Sequence, residues 1–271
     1  EDWEGIIHEV PAGELRWMGA RRTENLAWPS SSFTSNTTVL GVTETVNAIT
    51  DSDGNLLASK VVPSAANEQH FIFDSSVAAV ERNVYAMSID LKAGEITKVQ
   101  MAVGITPFGT STFANIDLSS GVIELDNDGT YSIDALADGW YRVSVTVKAI
   151  NNGINPFGVI PLLVGDEGRN PALVGFNGTD GFYVAKRQIE NVTNQSIKVA
   201  SEYIPTTTAP ATKWFDTTQN GDLLRPIGWQ DGRMLYDTYA PWSAAEAVTV
   251  GKRKKVDVNG KGMWVECSTA G

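Results

Sequence analysis

Apolar and polar residues alternate with a period of two over several short stretches of this chain. The pattern is clearest in the segments 84–94, 96–105 and 139–150. On the predicted apolar faces lie Tyr85, Met87, Ile89 and Leu91; Val99, Met101, Val103 and Ile105; and Tyr141, Val143, Val145 and Val147. Because successive side chains of a strand point to opposite faces, each segment is predicted to be an antiparallel strand that is apolar on one side only.

Turn-forming residues separate these strands at short intervals. Asp-Gly pairs occur in DSDGN (51–55), DNDGT (126–130) and ADGW (137–140), and such pairs tolerate the positive φ of tight turns. The apolar run GVIPLLVG (158–165) predicts a central strand, which Pro161 moves towards an edge or a bulge. Short strands at regular spacing predict an all-β fold, a jelly-roll β-sandwich.

The chain is predicted to divide into four parts. Residues 206–222 carry many Thr residues with Pro and Asn and are predicted to be a linker. The segment 223–271 is predicted to be a small C-terminal β module that contains three Trp residues and a turn at Asn259-Gly260. So short a module makes a marginal core, so we expect it to pack on a partner or on copies of itself. Residues 1–25 are then an attachment segment and residues 26–205 the sandwich.

Composition restricts the classes of partner. The 271 residues are 42% hydrophobic and 20% charged, which is typical of a globular protein. A formal net charge of −11 disfavours non-specific binding to nucleic acid or to anionic lipid. The basic run 252–255 opposes this trend; it is either a solvated hairpin face or a contact for lipopolysaccharide phosphates. No apolar run approaches the roughly 20 residues that span a bilayer, and the single cysteine, Cys267, cannot form an internal disulfide.

Sequence motifs for catalysis are absent. The chain has no HExxH, GxSxG, Walker or GxGxxG motif, and nothing marks either of its two histidines, His8 and His70, as a catalytic base. We therefore expect a protein that is not an enzyme and that needs no cofactor. His70 is predicted to be a surface or packed residue.

Two Asp-rich turns superficially resemble calcium loops. Asp51 and Asp53 lie in the first turn, and Asp126 and Asp128 lie in the second. Neither turn continues to the distal glutamate of an EF-hand. The favoured interpretation is an Asx-type hairpin turn, and a structural Ca²⁺ ion in one of them is the alternative.

Aromatic residues in or beside Gly- and Asn-rich loops are the better functional candidates. Sugar rings stack their apolar C–H faces on aromatic side chains, and their hydroxyls bind Asn, Gln and Asp. The candidate carbohydrate-binding residues are Phe108, Phe113, Tyr131, Phe157, Phe176, Asn177 and Gln100. Local packing of the aromatic residues is the alternative.

Several motifs, in order, resemble a family of tailed-bacteriophage virion proteins. The resembling stretches are IIHEVPAGELRWMGARRTENL (6–26), DSDGNLLASKVVPSAANEQHFIF (51–73), IDLSSGVIELDNDGTYSIDALADGWYRVSVTV (116–147), GFYVAKRQIEN (181–191) and SEYIPTT (201–207). The C-terminal segment 242–271 resembles, more weakly, a small Trp-containing module of such proteins that is distantly similar to chitin-binding domains. This chain departs from the family where Ala185-Lys186-Arg187 replaces a Trp-Gly-Ala sequence.

The resemblance implies a jelly-roll domain similar to carbohydrate-binding modules, carried on a tail fibre, tailspike or capsid fibre. Such proteins bind host-surface polysaccharide or lipopolysaccharide, contact other virion proteins, and are usually homotrimers. They are assembled in the host cytoplasm and reside in the extracellular particle. In them more chain precedes the ARRTENL segment (20–26), so we expect that Glu1 is not the true start.

Three hypotheses follow from these observations. The first is a virion fibre or adhesin that binds host carbohydrate, and the second is a non-binding decoration or connector protein of the virion. The third, a polysaccharide depolymerase, is disfavoured because such enzymes place their carboxylates on a long β-helix, whose repeat is missing from this sequence.

Overall fold

The structure is a computed structural model that describes most of the sandwich and the strands of the C-terminal region. The described residues are 20–154, 157–165, 167–173, 175–195, 198–216, 224–230, 233–238, 253–258 and 261–266. The chain divides into two compact units, one formed by Thr23–Lys213 and the other by Glu1–Arg22 together with Trp214–Gly271. Cys267, His8 and Trp242 lie outside the described residues.

Nearly all regular structure is β-strand. In chain order, the strands of the first part are β1 (Ala20–Asn25), β2 (Thr37–Leu40), β3 (Val42–Ile49), β4 (Ala58–Pro63), β5 (Glu68–Gln69), β6 (Phe71–Asp74), β7 (Ala78–Ala79), β8 (Val84–Lys92) and β9 (Lys98–Val103). After the single-turn helix α1 (Ile105–Phe108) come β10 (Phe113–Asp117), β11 (Val122–Asn127), β12 (Thr130–Ala135), β13 (Trp140–Lys148), β14 (Gly153–Ile154), β15 (Phe157–Leu162), β16 (Ala172–Leu173), β17 (Phe182–Asn191) and β18 (Ala211–Asp216). The last four are β19 (Leu224–Gln230), β20 (Arg233–Thr238), β21 (Arg253–Val258) and β22 (Lys261–Glu266).

Two six-stranded antiparallel sheets form the sandwich. Sheet A has the strand order β11-β10-β9-β15-β6-β2, and sheet B has the order β12-β13-β8-β17-β4-β3. The prediction of an all-β sandwich is therefore confirmed, and the jelly-roll type stays a prediction. Strand β15 lies centrally, as predicted. Pro161 is near its C-terminal end: the pairing of β15 with β6 ends at Val159, whereas its pairing with β9 continues past Pro161.

The predicted apolar faces form the core between the sheets. Tyr85, Met87, Ile89 and Leu91 of β8 pack with Val143 and Val145 of β13 and with Val99, Met101 and Val103 of β9. Ile105 is a correction: instead of continuing the β9 face it begins α1, and its side chain is 53% exposed. The chain leaves the sheet at Gly104, so the alternation ends there.

The opposite faces of the central strands are also buried, which corrects the expectation of strands that are covered on one side only. Ser88 and Asp90 of β8 and Gln100 of β9 are nearly inaccessible to solvent. Loop segments cover both outer faces and bond to these polar groups: Gln100 holds the segment around Gly168, and Gln188 of β17 holds the segment around Ile204. In these central strands, the polar side chains on the outer face therefore bind the loop segments that cover them, and they do not face solvent.

A terminal clasp joins residues 23–30 to residues 201–206. The buried Asn25 donates from Nδ2 to the carbonyl oxygens of Arg187 (3.2 Å) and Ile204 (2.8 Å). Ser30 and Tyr203 share a hydroxyl–hydroxyl bond of 2.6 Å, and Thr206 N donates to Ser30 Oγ at 2.8 Å. The TENL and SEYIPT segments, far apart in the sequence, are thus in direct contact.

The C-terminal region contains two hairpins, β19–β20 and β21–β22. Val258 of β21 pairs with Lys261 of β22, on either side of the predicted turn. Strand β18 falls inside the predicted linker 206–222 and pairs with β1. Within the described ranges, no helix has the length and apolar character that crossing a membrane requires.

Candidate functional site

A small cleft lies beside the end of β9 on sheet A. Its volume is about 190 Å³, and its principal lining residues are Phe73, Ile105, Thr106, Ile154, Arg169 and Asn170. We call it the Arg169 cleft. Pockets that bind drug-sized ligands measure roughly 300–1,000 Å³, so this volume suits a single small ring rather than an extended chain.

Arg169 is fixed by the backbone at one wall of the cleft. Its Nη1 donates to the carbonyl oxygen of Thr112 at 2.7 Å, and its Nη2 donates to that of Val103. These carbonyls flank the connection from β9 through α1 to β10, so the guanidinium ties this connection together. Burial lowers the pKa of the Arg169 guanidinium. The buried Nε–H has no hydrogen-bond partner among the described residues.

Asn170 is positioned by Gln100, whose side chain extends from the outer face of β9. Gln100 Oε1 accepts from Asn170 N at 2.8 Å, and Gln100 Nε2 donates to Gly168 O at 3.0 Å and to Asn115 Oδ1 at 2.8 Å. Asn170 takes a left-handed conformation (φ 45°), which Asn tolerates better than most residues. Its Oδ1 is buried and lacks a donor within the part of the chain that the structure describes.

Phe73 supplies the aromatic surface of the cleft. It lies on β6, its ring centroid is 5.1 Å from that of Phe71, and it is almost buried. Phe73 pairs with Gly158 of β15, and a Cβ on Gly158 would lie 2.6 Å from Phe73 Cδ1. The missing side chain at Gly158 therefore makes room for the ring on the outer face.

Together these groups can recognise a small polar ring. The Arg169 Nε–H and the Asn170 Oδ1 are closed off from solvent, so a ligand hydroxyl would contact the partly exposed remainder of these two residues. The exposed Ile105 and Ile154, with Phe73, offer apolar contacts for the C–H face of such a ring.

The predicted aromatic residues lie outside the lining of the cleft. Phe108, Phe113, Phe157 and Phe176 are buried in the hydrophobic core. Phe108 packs edge-on against Tyr85, with ring centroids 5.9 Å apart, and Phe176 packs edge-on against His70, at 5.0 Å. For these four residues the burial supports the alternative of local packing.

The other carbohydrate candidates do not line the cleft, although Tyr131 lies close enough to Arg169 that the guanidinium partly offsets the burial that raises the pKa of the Tyr131 hydroxyl. Gln100 is buried, and its contact with the cleft is the hydrogen bond that it accepts from Asn170 N. Tyr131 is half-buried on β12, and its hydroxyl donates to Asp128 O at 3.3 Å. Asn177 is exposed, and its Oδ1 accepts from the backbone N–H groups of Thr179 and Asp180, each at 2.9 Å. The structure brings only Gln100 into a direct hydrogen bond with a cleft residue, and a ligand contact by any of the three stays a prediction.

The first Asp-rich turn forms part of a buried ionic network on the outer face of sheet B. Asp51 Oδ1 accepts from the N–H groups of Asp53 and Asn55, each at 2.9 Å, which is the Asx-type turn that the sequence favours. Lys186 Nζ lies 2.6 Å from Asp53, 3.9 Å from Asp51 and 3.7 Å from Asp90. The ammonium therefore occupies the position between carboxylates that a cation would take.

The second Asp-rich turn connects the two sheets, from β11 to β12. Asp126 and Asp128 are exposed there. Over the described ranges, no group of three or more His, Cys, Asp or Glu side chains is arranged to hold a metal ion.

The cleft residues Phe73, Arg169 and Asn170 were not predicted from the sequence. Phe73 lies in the apolar run 71–73, so the sequence does not distinguish it from a core residue. Arg169 and Asn170 lie in the loop GDEGRNPAL (165–173), where the Arg-Asn-Pro order marks a turn but gives no sign of a ligand. Their proximity depends on how the loop folds over β9.

Comparison with protein-family models finds no family that matches the chain. Comparison with curated proteins finds no match either.

Proposed function

We propose that this chain is a bacteriophage virion protein, a fibre or adhesin, whose sandwich binds host-surface carbohydrate in the Arg169 cleft. The observation that carries the binding role is the Arg169 cleft itself, in which Phe73 and the exposed Ile105 and Ile154 offer apolar surface beside the polar residues Arg169 and Asn170. Sugars combine hydroxyls and an apolar ring face, and they match this set of groups.

The virion assignment rests on the ordered sequence motifs. The TENL and SEYIPT segments, which belong to opposite ends of the resemblance, meet in the terminal clasp through Asn25 and Ile204. The proposed location is therefore the extracellular particle, with other virion proteins and further copies of the chain, as a trimer, for partners.

Exposed side chains at the rim of the cleft provide the test. The double substitution Ile105→Ser/Ile154→Ser removes apolar contacts from two residues that are 53% and 55% exposed, so the fold is expected to tolerate it. Binding to an array of bacterial surface glycans should weaken by about tenfold or more, since each lost contact is worth about 1 kcal/mol.

A matched control is Leu56→Ser/Val122→Ser, at positions that are 59% and 51% exposed. Val122 pairs with Asp117, which lies opposite Lys98 at the start of β9. The cleft lies at the other end of β9. The control should bind as the unchanged protein does. Should the unchanged protein bind neither glycans nor host cells while it co-purifies with virions, the non-binding structural role replaces this proposal.

A further inference from the structure

The solvent-accessible surface at the rim of the Arg169 cleft is aliphatic. Ile105 and Ile154 line the cleft, and their side chains are 53% and 55% exposed. Ile154 pairs with the exposed Ala78 across the two-stranded ribbon of β7 and β14, and Val80, which directly follows β7, is 52% exposed. The apolar surface therefore continues from the cleft onto this ribbon.

A further exposed aliphatic side chain lies beside α1, the helix that Ile105 begins. Ile150 is 57% exposed, and its backbone N–H donates to Pro107 O at 2.7 Å. Single exposed aliphatic residues are common on protein surfaces, whereas a group of them around one cleft is typical of a binding surface. The ligand of this cleft is therefore expected to present apolar groups.

Few polar groups of the described lining are open to a ligand. Thr106 is exposed, and its hydroxyl can donate or accept a hydrogen bond. Arg169 and Asn170 are half-buried, and Arg169 Nε–H and Asn170 Oδ1 are closed off from solvent. An ordinary hexose carries hydroxyls around its whole ring, and a hydroxyl that is pressed against an aliphatic side chain loses its water without gaining a partner. Such a sugar matches this rim poorly.

A sugar with a methyl group in place of the hydroxymethyl group matches the rim better. In a 6-deoxyhexose, the methyl group on C5 and the neighbouring C–H groups form an apolar edge, and the ring hydroxyls lie on the other side. The apolar edge fits Ile105 and Ile154, while the hydroxyls remain available to Thr106 and to water. The cleft volume of about 190 Å³ suits one such ring.

We propose that the Arg169 cleft selects neutral sugars of the 6-deoxyhexose class, and that Ile105 and Ile154 select them by contact with the methyl group. This inference rests on the proposed carbohydrate-binding function and names its ligand class. The host polysaccharide that the chain binds then carries such a sugar at an accessible position.

The test measures dissociation constants of the full chain for two pairs of methyl glycosides in NMR titrations. Methyl α-L-fucoside lacks only the 6-hydroxyl of methyl α-L-galactoside, and methyl α-L-rhamnoside lacks only that of methyl α-L-mannoside. In at least one pair the deoxy sugar should bind about tenfold more tightly, because the extra hydroxyl of its counterpart is buried without a partner. Saturation transferred from the protein should be strongest at the methyl protons on C5.

The double variant Ile105→Ser/Ile154→Ser tests which residues select the methyl group. The new hydroxyls can bond the 6-hydroxyl, so the affinities for the two members of the preferred pair should become equal within about twofold. Leu56→Ser/Val122→Ser makes the same exchange at positions that are 59% and 51% exposed and should keep the full preference. Equal urea midpoints of the two variants confirm that both are folded.

The outcomes distinguish this inference from the proposed function. Equal or weaker binding of the deoxy sugar in both pairs, while other glycans bind, would overturn the selection of 6-deoxyhexoses and leave carbohydrate binding in place. A preference that persists in Ile105→Ser/Ile154→Ser would overturn the role of these two residues. A protein that binds no glycan would overturn both proposals.

Discussion

At the scale of single residues, the pair Arg187–Asp74 shows how a charge is held between two sheets. Arg187 of β17 is 1% exposed and lies 3.2 Å from Asp74 of β6, which is fully buried. The guanidinium also stacks on Phe33, at 4.4 Å from the ring centroid. Burial raises the pKa of Asp74, and the charge of Arg187 opposes that rise. The ion pair therefore offsets part of the cost of burying this carboxylate.

Arg187→Met should lower the free energy of unfolding by about 3–5 kcal/mol, because it leaves Asp74 as a buried charge without a partner. Urea denaturation measures the loss. The pKa of Asp74 should rise further in this variant. A raised folded-state pKa means that the folded protein binds the proton more tightly, so the destabilisation should diminish as the pH falls.

The double variant Arg187→Met/Asp74→Asn is the control for this interpretation. The amide introduced by Asp74→Asn keeps an oxygen that accepts from Ser76 N, a bond of 2.7 Å in the native protein. The double variant should lose clearly less stability than the sum of the single variants, by at least about 1 kcal/mol. Additive losses would mean that the two charges do not stabilise each other.

At the scale of elements, a bulge in β17 decides which side chains face the core. Ala185 pairs with Asp90 and Gln188 pairs with Ser88, so Lys186 and Arg187 both lie opposite Ile89. Lys186 has φ 52° and points to the outer-face network, whereas Arg187 points inward. Because of this extra residue, even-numbered residues face the core before the bulge and odd-numbered residues face it afterwards, so Ile189 lies in the core.

The turn between β10 and β11 gives a pH-dependent prediction. Asp117 accepts from Ser119 Oγ (2.6 Å), Ser119 N (2.8 Å) and Lys98 Nζ (3.0 Å). The hydroxyl of Ser119, and then Lys98, hold the pKa of Asp117 at about 2, below its ordinary 3.8. A lowered folded-state pKa stabilises the protein above the unfolded value, and this contribution disappears as the pH falls through about 2.

Asp117→Asn should therefore destabilise the protein at neutral pH by less than about 1 kcal/mol, since the group lies near the surface. The difference from the unchanged protein should shrink between pH 3.8 and 2 in urea titrations. Asp128→Asn, at an exposed position, controls for the loss of one negative charge. A difference that is constant across this range would contradict the assigned pKa.

At the scale of the whole molecule, the terminal clasp closes the unit Thr23–Lys213. We expect a chain of residues 23–213 to fold alone and to sediment as a monomer, while the full chain sediments as the proposed trimer. The reason is that this unit has its own core, whereas the small C-terminal hairpins are predicted to pack on copies of themselves. A trimeric 23–213 chain, or a monomeric full chain, would oppose this assignment.

A shorter chain of residues 23–197 tests the clasp itself. It removes Ile204, whose N–H donates to Gln188 Oε1 at 2.7 Å, and Thr206, whose hydroxyl donates to Ala27 O at 2.6 Å. Buried polar groups then lose their partners, so the urea midpoint should fall well below that of residues 23–213. Equal midpoints would show that the clasp adds no stability.

The sequence by itself determined the alternating strands β8, β9 and β13, the Asp-Gly turns and the all-β class. These features are local: alternation at β8, β9 and β13 follows from the pleat of the backbone, and Asp-Gly turns follow from the permitted φ of those residues. In β17 the apolar positions change from even numbers, Phe182 and Val184, to an odd number, Ile189, and this change indicates a bulge between them. It does not indicate whether Lys186 or Arg187 turns inward.

Only the tertiary structure decided which polar faces are covered and where a ligand can bind. Phe73, Ile105, Ile154 and Arg169 come from four separate segments, and none carries a local sign of the others. Likewise Phe108 and Phe157, beside glycines in sequence, are in the core because Phe108 ends α1 and Phe157 begins the central strand β15. Local patterns determine the conformation of each segment, whereas a site needs contacts between distant segments, which form only when the sandwich closes.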